Sequence, residues 1–240
     1  MIDFDRLLVG TANRIRNVVR FSNSTRIKDE NVAEHSYYCV FYAYILGTYL
    51  NRMVATRDGI PFDSEPCTPF LNMEKVLAKA LLHDMDEAVT GDFVRSFKNS
   101  DAALQHMIEQ HAFKGLMPLF LELFRGMTKE YIKTPITKPT SIRTSLLLHW
   151  TSEAINAKDD SYEGQLVAFV DMLSVLSYVI NEVRCGNQVI KDHLMSLREY
   201  ISSFRSYTLF QNEPYAKAWL DQLPALLGEN GYDIFKKEDN

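Results

Sequence analysis

Five ionisable side chains, His83, Asp84, Asp86, Glu87 and Asp92, follow directly on an apolar run from Val76 to Leu82. Burying carboxylates against such a run is costly unless a cation or a hydrogen-bond network compensates. A histidine next to an aspartate offers one neutral nitrogen and one anionic oxygen, a pairing that suits a borderline divalent metal. The plain alternative is a helix end with its acids in water, so the rest of the chain has to decide.

Two further residues raise the same question. Asp171 sits inside a run that is apolar in every direction (Leu166, Val167, Phe169, Val170, Met172, Leu173, Val175, Leu176) with no cation close to it in sequence. A buried carboxylate needs a partner, and a metal or an arginine is expected. His35 lies in the first turn of a helix opened by Asn31-Val32-Ala33-Glu34, where Asn31 caps and Glu34 closes the capping box. Together His35, His83, Asp84 and Asp171 supply two imidazoles and two carboxylates from three helices, an octahedral set with positions left for water.

The elements that must place them read as helices. Apolar residues at Leu7, Leu8, Ala12, Ile15, Val18 and Val19 predict one helix over 4–21, with Arg14, Arg16 and Arg20 on its polar face and Arg26 and Lys28 in the loop behind it. These cations form a solvated face or a phosphate grip, to which arginine's planar fork is suited. The helix carrying His35 is expected to run to about Arg52, apolar nearly all round. Gly59, Pro61, Pro66 and Pro69 then mark 53–71 as a long surface connection. Asn72 caps the next helix, on which Glu87 follows His83 by four and shares its face if the helix persists. Gly91 breaks it, with Asp92 on the turn. One or two helices are predicted over 100–127, where the five-residue spacing of His106 and His111 places both on the surface. Further helices are read over 142–156, which includes His149, and over 163–185, 190–204 and 213–227, with 236–240 a frayed tail. Cys39 reads as a small core residue. No convincing strand or repeat occurs, so the expected class is all-α.

Bulk properties exclude several functions. A formal net charge of −5 without a long basic run speaks against a nucleic-acid duplex. Three widely spaced cysteines make neither a disulfide framework nor a zinc knuckle, which fits a reducing compartment. The longest apolar stretch is too short to span a bilayer and carries Asp171, and the N-terminus lacks a signal-peptide layout. The expectation is a soluble, cytoplasmic protein without a membrane partner.

The order Arg20-Phe21, Glu30-Asn31-Val32-Ala33-Glu34-His35-Ser36, His83-Asp84-Met85-Asp86-Glu87 and Thr90-Gly91-Asp92 resembles the HD-domain metal-dependent phosphohydrolases, and within them the bacterial 5′-deoxynucleotidase branch, over roughly residues 5–185. The resemblance implies a single HD-domain helical bundle over 1–240, with a C-terminal helical extension from about 186 to 235. It implies one divalent ion (Co, Mn, Zn, Mg or Fe) on His35, His83, Asp84 and Asp171, with Glu87 and Asp92 as catalytic acids. By the same resemblance Arg20 contacts phosphate, and water activated by the metal removes phosphate from (deoxy)nucleoside 5′-monophosphates. Phe21 stands where the family has a tryptophan tied to 2′-deoxy selection. Arg95 and Lys98, in a segment that differs from the family's proline-rich one, join the expected substrate contacts. A homodimer is left open. The competing readings are an HD-type deoxynucleoside triphosphate triphosphohydrolase, favoured by Arg95 and the basic 14–28 region, a two-metal HD phosphodiesterase or oxygenase, and a non-catalytic nucleotide-binding module. Glu87 and Asp92 argue against the last, because binding alone does not need them.

Overall fold

The structure, a computed structural model, describes residues 2–22, 24–61, 69–91 and 142–227, with single positions between 107 and 123. Asp92, the 93–98 segment with Arg95 and Lys98, His106 and the 236–240 tail lie outside the described residues. Among those described, the fold is all-α: there is no sheet, and the paired backbone of Val19 and Asn31 is an isolated antiparallel bridge. The helices are α1 (Phe4–Val9), α2 (Val32–Arg57), α3 (Met73–Leu82), α4 (Glu87–Thr90), α5 (Ile142–Ile155), α6 (Tyr162–Arg184), α7 (Lys191–Ser203), α8 (Thr208–Asn212) and α9 (Pro214–Leu227). The chain forms two compact units, one of Met1–Asn23, Asp29–Tyr37 and Leu81–Ala157, the other of Ser24–Lys28, Tyr38–Ala80 and Lys158–Asn240.

In the first unit, the single helix expected over 4–21 is corrected. Gly10 adopts an extended conformation that ends α1, and Thr11–Asn17 continues as a 3₁₀ helix before the chain straightens at Val18. Leu7, Leu8 and Val9 are consequently exposed instead of forming a core face. The apolar centre of this unit is Leu116, Leu119, Phe120, Leu121, Leu123 and Leu147, joined by Ala88 and flanked by Ile15, Leu82, Met85 and Trp150. Leu82, Met85 and Ala88 thus bury the apolar side of the turn that carries His83, Asp84 and Glu87. The helix does not persist through that turn: α3 stops at Leu82, residues 83–86 form turns, and α4 starts afresh at Glu87.

α2 extends five residues past its expected end, to Arg57, so the following connection starts later than 53. Its surroundings also differ from the sequence reading. Val32, His35, Cys39, Ala43 and Leu50 are buried, but Tyr37, Tyr38, Phe41, Tyr44, Ile45 and Tyr49 line an exposed face. Asn72 caps α3 as expected, its Oδ1 accepting from the Lys75 N–H at 3.1 Å.

α6 is the core helix of the second unit. The stretch read from the sequence as too short to span a bilayer is corrected: it belongs to a helix with the length and apolar composition of a membrane-crossing one, although most of that helix is buried inside the protein. Phe169 packs against Phe204, Phe210 and Trp219, with ring centroids 5.0–6.0 Å apart. Gln165 accepts the Leu209 N–H at 2.7 Å and donates to the Thr208 hydroxyl at 2.9 Å, which ties the short α8, not anticipated from the sequence, to α6. The helix starts where it does because Ser161 caps it through the Gly164 N–H at 3.1 Å, and a side chain at 164 would collide with Asp159.

Asp159 secures this start. It accepts from the Ser161 hydroxyl and N–H, and from the Nζ of Lys79 at 2.9 Å. Burial by itself would push its carboxyl up, but the Ser161 hydroxyl and the Lys79 ammonium outweigh that and hold it below the usual carboxylate range. Lys79 is 1% exposed, whereas the Asp159 side chain is 36% exposed. Removing the acid takes the opposite charge from a buried ammonium, whereas removing the lysine leaves a carboxylate that water can reach. Asp159→Asn should therefore destabilise by about 2–3 kcal/mol and Lys79→Met by about 1 kcal/mol, read from urea unfolding. Because the folded-state pKa of Asp159 is depressed, its contribution is complete above the unfolded-state value and disappears as pH falls through the folded one. The gap between wild type and Asp159→Asn should close on acidification, and a gap that widened would contradict this account.

Candidate metal centre

His35 is placed by the start of α2. The capping box is reciprocal: the Glu34 N–H donates to Asn31 Oδ1 at 2.9 Å, and the Asn31 N–H donates to Glu34 Oε2 at 3.2 Å. The His35 N–H then donates to the Asn31 carbonyl at 3.1 Å, which starts the helix and fixes the direction of a fully buried imidazole. His83 and Asp84 come from the turn after α3, held by Met85 N–H to Leu82 carbonyl and Glu87 N–H to Asp84 carbonyl bonds of 3.0 Å each.

Three donor atoms converge. Nε2 of His83 lies 3.2 Å from Nε2 of His35, and Oδ2 of Asp84 lies 3.1 Å from the first and 3.5 Å from the second. Ligand atoms held about 2.0–2.2 Å from one ion at tetrahedral or octahedral angles are about 3–3.6 Å from their neighbours. The triangle has that size. A hydrogen bond between two imidazoles uses one proton, whereas a divalent ion engages both nitrogens and the carboxylate at once. The donor set therefore fits a borderline divalent cation.

Asp171 is on α6, 8% exposed, with Nζ of Lys158 2.7 Å from its Oδ2. A partner was expected, as a metal or an arginine; the structure sets a lysine, thirteen residues earlier in the chain, against it. Cys39, read from the sequence as core, is buried with its Sγ 3.9 Å from the Val170 carbonyl.

Glu87 opens α4 and is 4% exposed, one tight turn beyond Asp84. Arg20 is held by the bridge between Val19 and Asn31: its N–H donates to the Glu30 carbonyl at 2.8 Å, and the Val32 N–H donates to the Val18 carbonyl at 2.9 Å. Asn31 is thus both the bridge partner and the residue whose side chain caps the helix of His35, so Arg20 and His35 share one small frame. The guanidinium lies 3.9 Å from the Glu30 carboxylate and 5.5 Å from the Phe21 ring centroid. Phe21 has φ +54°, a left-handed conformation that costs a residue with a side chain about 1–2 kcal/mol. His111 is exposed, as its five-residue spacing from His106 implied, and His149 is exposed as well.

Comparison with known proteins bears on the same residues. The solved structures similar to this chain include an HD-domain phosphohydrolase from Listeria innocua, with TM-score 0.64 and 20% identity over 96% of this chain and 92% of that one. They also include a conserved hypothetical protein from Pyrococcus furiosus, with TM-score 0.59 and 17% identity over 92% of this chain and 98% of that one. At these identities the likeness establishes the fold. Among curated proteins, a 5′-deoxynucleotidase of Pectobacterium atrosepticum, ECA3034, is 29% identical over 94 residues, 39% of this chain and 41% of that protein. The aligned stretch spans less than half the length of that relative. The family model of YfbR-like 5′-deoxynucleotidases matches residues 8–212, a span that contains Arg20, both histidines of the triangle, Glu87 and Asp171. The match runs through most of the sequence and the helical fold agrees with it, so the chain belongs to the YfbR-like 5′-deoxynucleotidase family.

Proposed function

We propose that this protein is a phosphoric monoester hydrolase that releases phosphate from deoxynucleoside 5′-monophosphates in the cytoplasm. The observation that carries this reading is the triangle of His35, His83 and Asp84, with edges of 3.1–3.5 Å. In it, His35, His83, Asp84 and Asp171 hold one divalent ion. Such an ion, when bound, lowers the pKa of water and polarises a phosphoryl oxygen. Glu87 and Asp92 orient the attacking water and return a proton to the leaving ester oxygen. Arg20, with Arg95 and Lys98, neutralises charge on the phosphoryl oxygens. Phe21 provides an apolar wall beside Arg20, supported by its ring lying next to the guanidinium.

Assay of nucleoside mono- and triphosphates against several divalent ions tests the reading. Inorganic phosphate from dAMP or another deoxynucleoside monophosphate is the expected product; tripolyphosphate from dATP would replace the reading with a triphosphohydrolase. Arg20→Ala should raise KM about 10- to 100-fold with a smaller change in kcat, the size of one charge-assisted phosphate contact. An unchanged KM would remove Arg20 from the phosphate site.

A further inference from the structure

Helix α2 is apolar on two sides. Its inward side, Cys39, Ala43, Leu50 and Val54, is buried in the core. On the opposite side of the helical wheel lie Tyr38, Phe41, Tyr44, Ile45 and Tyr49, each 45–53% exposed. Within that outer face Tyr38, Phe41, Ile45, Thr48 and Arg52 follow one another at alternating spacings of three and four. This is the seam with which one helix packs along another, and at 1.5 Å per residue it is about 20 Å long.

The seam is prepared for being covered. The Tyr38 and Phe41 rings each lie against Tyr42, with centroids 6.2 and 5.8 Å apart, and the Tyr49 ring lies 6.4 Å from that of Trp219 on α9. Rings already held by neighbours lose little freedom on docking. The Thr48 hydroxyl donates to the Tyr44 carbonyl at 2.6 Å, so covering it strands no donor. Side chains of this size, half exposed, leave roughly 70–130 Å² each, about 350–600 Å² in all. A stable interface takes about 600–1,000 Å² from each partner, so the seam supplies most of an apolar centre and a polar rim completes it.

Charge decides what covers it. Tyr38 to Asn51 carry no Asp, Glu, Lys or Arg, in a chain that is 24% charged. A helix lying on a membrane needs a basic polar face beside its apolar one, and the far side of α2 is core. A foreign protein partner is steered and selected by complementary charge, which this seam lacks before Arg52 at its end. A surface that meets its own copy across a two-fold axis has the opposite requirement, because residues near the axis face themselves and like charges there repel. Antiparallel pairing about the middle of the seam brings Phe41 and Ile45 of the two copies together and sets the two Arg52 residues at opposite ends.

We propose that this face of α2 is the interface of a homodimer, with the two copies of the helix antiparallel across a two-fold axis near Phe41 and Ile45. Sedimentation equilibrium and light scattering on the full chain test it, with wild type, Ile45→Lys, Ile45→Glu and an equimolar mixture of the two variants. Wild type should form a dimer of twice the 27.7 kDa chain at micromolar concentration. Either charge buried beside its own copy should raise the dimer Kd at least about 100-fold, with helix content by circular dichroism unchanged. In the mixture opposite charges meet, and heterodimers should form with a Kd within about tenfold of wild type. Tyr44→Lys, at a more exposed position, repeats the first step should the Ile45 variants not fold. A wild type that stays monomeric, a dimer indifferent to Ile45→Lys, or a mixture that does not pair overturns the proposal. So does a monomer that cosediments with phosphatidylcholine vesicles, which would assign the face to a lipid surface.

Discussion

His83→Ala should abolish metal binding and turnover together. His83 supplies the nitrogen shared by the two shortest edges of the triangle, 3.2 Å to His35 and 3.1 Å to Asp84. With alanine there, His35 and Asp84 remain 3.5 Å apart and the triangle loses the donor common to its two shortest edges. One ligand bond is worth roughly 4 kcal/mol, so divalent-ion affinity should fall at least about a thousandfold. Hydrolysis should fall at least as far, since polarisation of the phosphoryl oxygen and acidification of water depend on the same ion. Metal content after dialysis and kcat/KM are the two measurements, with circular dichroism to show that the helices persist. A variant that kept stoichiometric metal would show that His83 is not a ligand. One that lost metal but kept wild-type turnover would separate the centre from the chemistry altogether.

How much of this was legible beforehand depended on sequence distance. The capping box at Asn31 and Glu34 was readable because its two hydrogen bonds join residues three apart, and it placed His35 correctly. The bounds of α6 were nearly as readable, 163–185 expected against Tyr162–Arg184 found, although the Ser161 cap was recognised in the structure and not in the sequence. Apolar period was a poorer guide to burial. The spacing of Leu7 and Leu8 promised a core face, but Gly10 ended the helix and left both in solvent. α2 read as apolar nearly all round, yet Phe41 and Ile45 stand with four tyrosines on an exposed face. Polar partners far apart in sequence were not readable at all. Asp171 advertised the need for a cation, but only the turn at 156–158 brings Lys158 to it. Nothing local marks Glu182, whose partners Ile27 and Lys28 are about 155 residues away. The residues around His35 and His83 could therefore be named from pattern, whereas those that hold neighbouring loops in place required the fold.

Glu87→Gln should retain the metal and lose turnover, which separates catalysis from coordination. Glu87 is not one of the three atoms of the triangle; it begins a new helix after the turn, with its N–H on the Asp84 carbonyl at 3.0 Å. Its side chain is nonetheless 4% exposed, and the apolar anchors on either side of it, Met85 and Ala88, are packed into the core of their unit. A carboxylate kept in so dry a setting pays a desolvation cost that an amide of the same shape would avoid. In the proposed mechanism that cost is offset because the charge or the proton of the acid is used. Glutamine preserves volume and hydrogen-bonding capacity, so the fold and the ion should survive, while general acid or base action typically contributes 10²–10⁴-fold. The expected result is wild-type metal stoichiometry, a melting temperature at or above that of wild type, and kcat lower by about 10²–10⁴-fold. Loss of metal in Glu87→Gln would make Glu87 a ligand, and undiminished kcat would leave the proton work to Asp92.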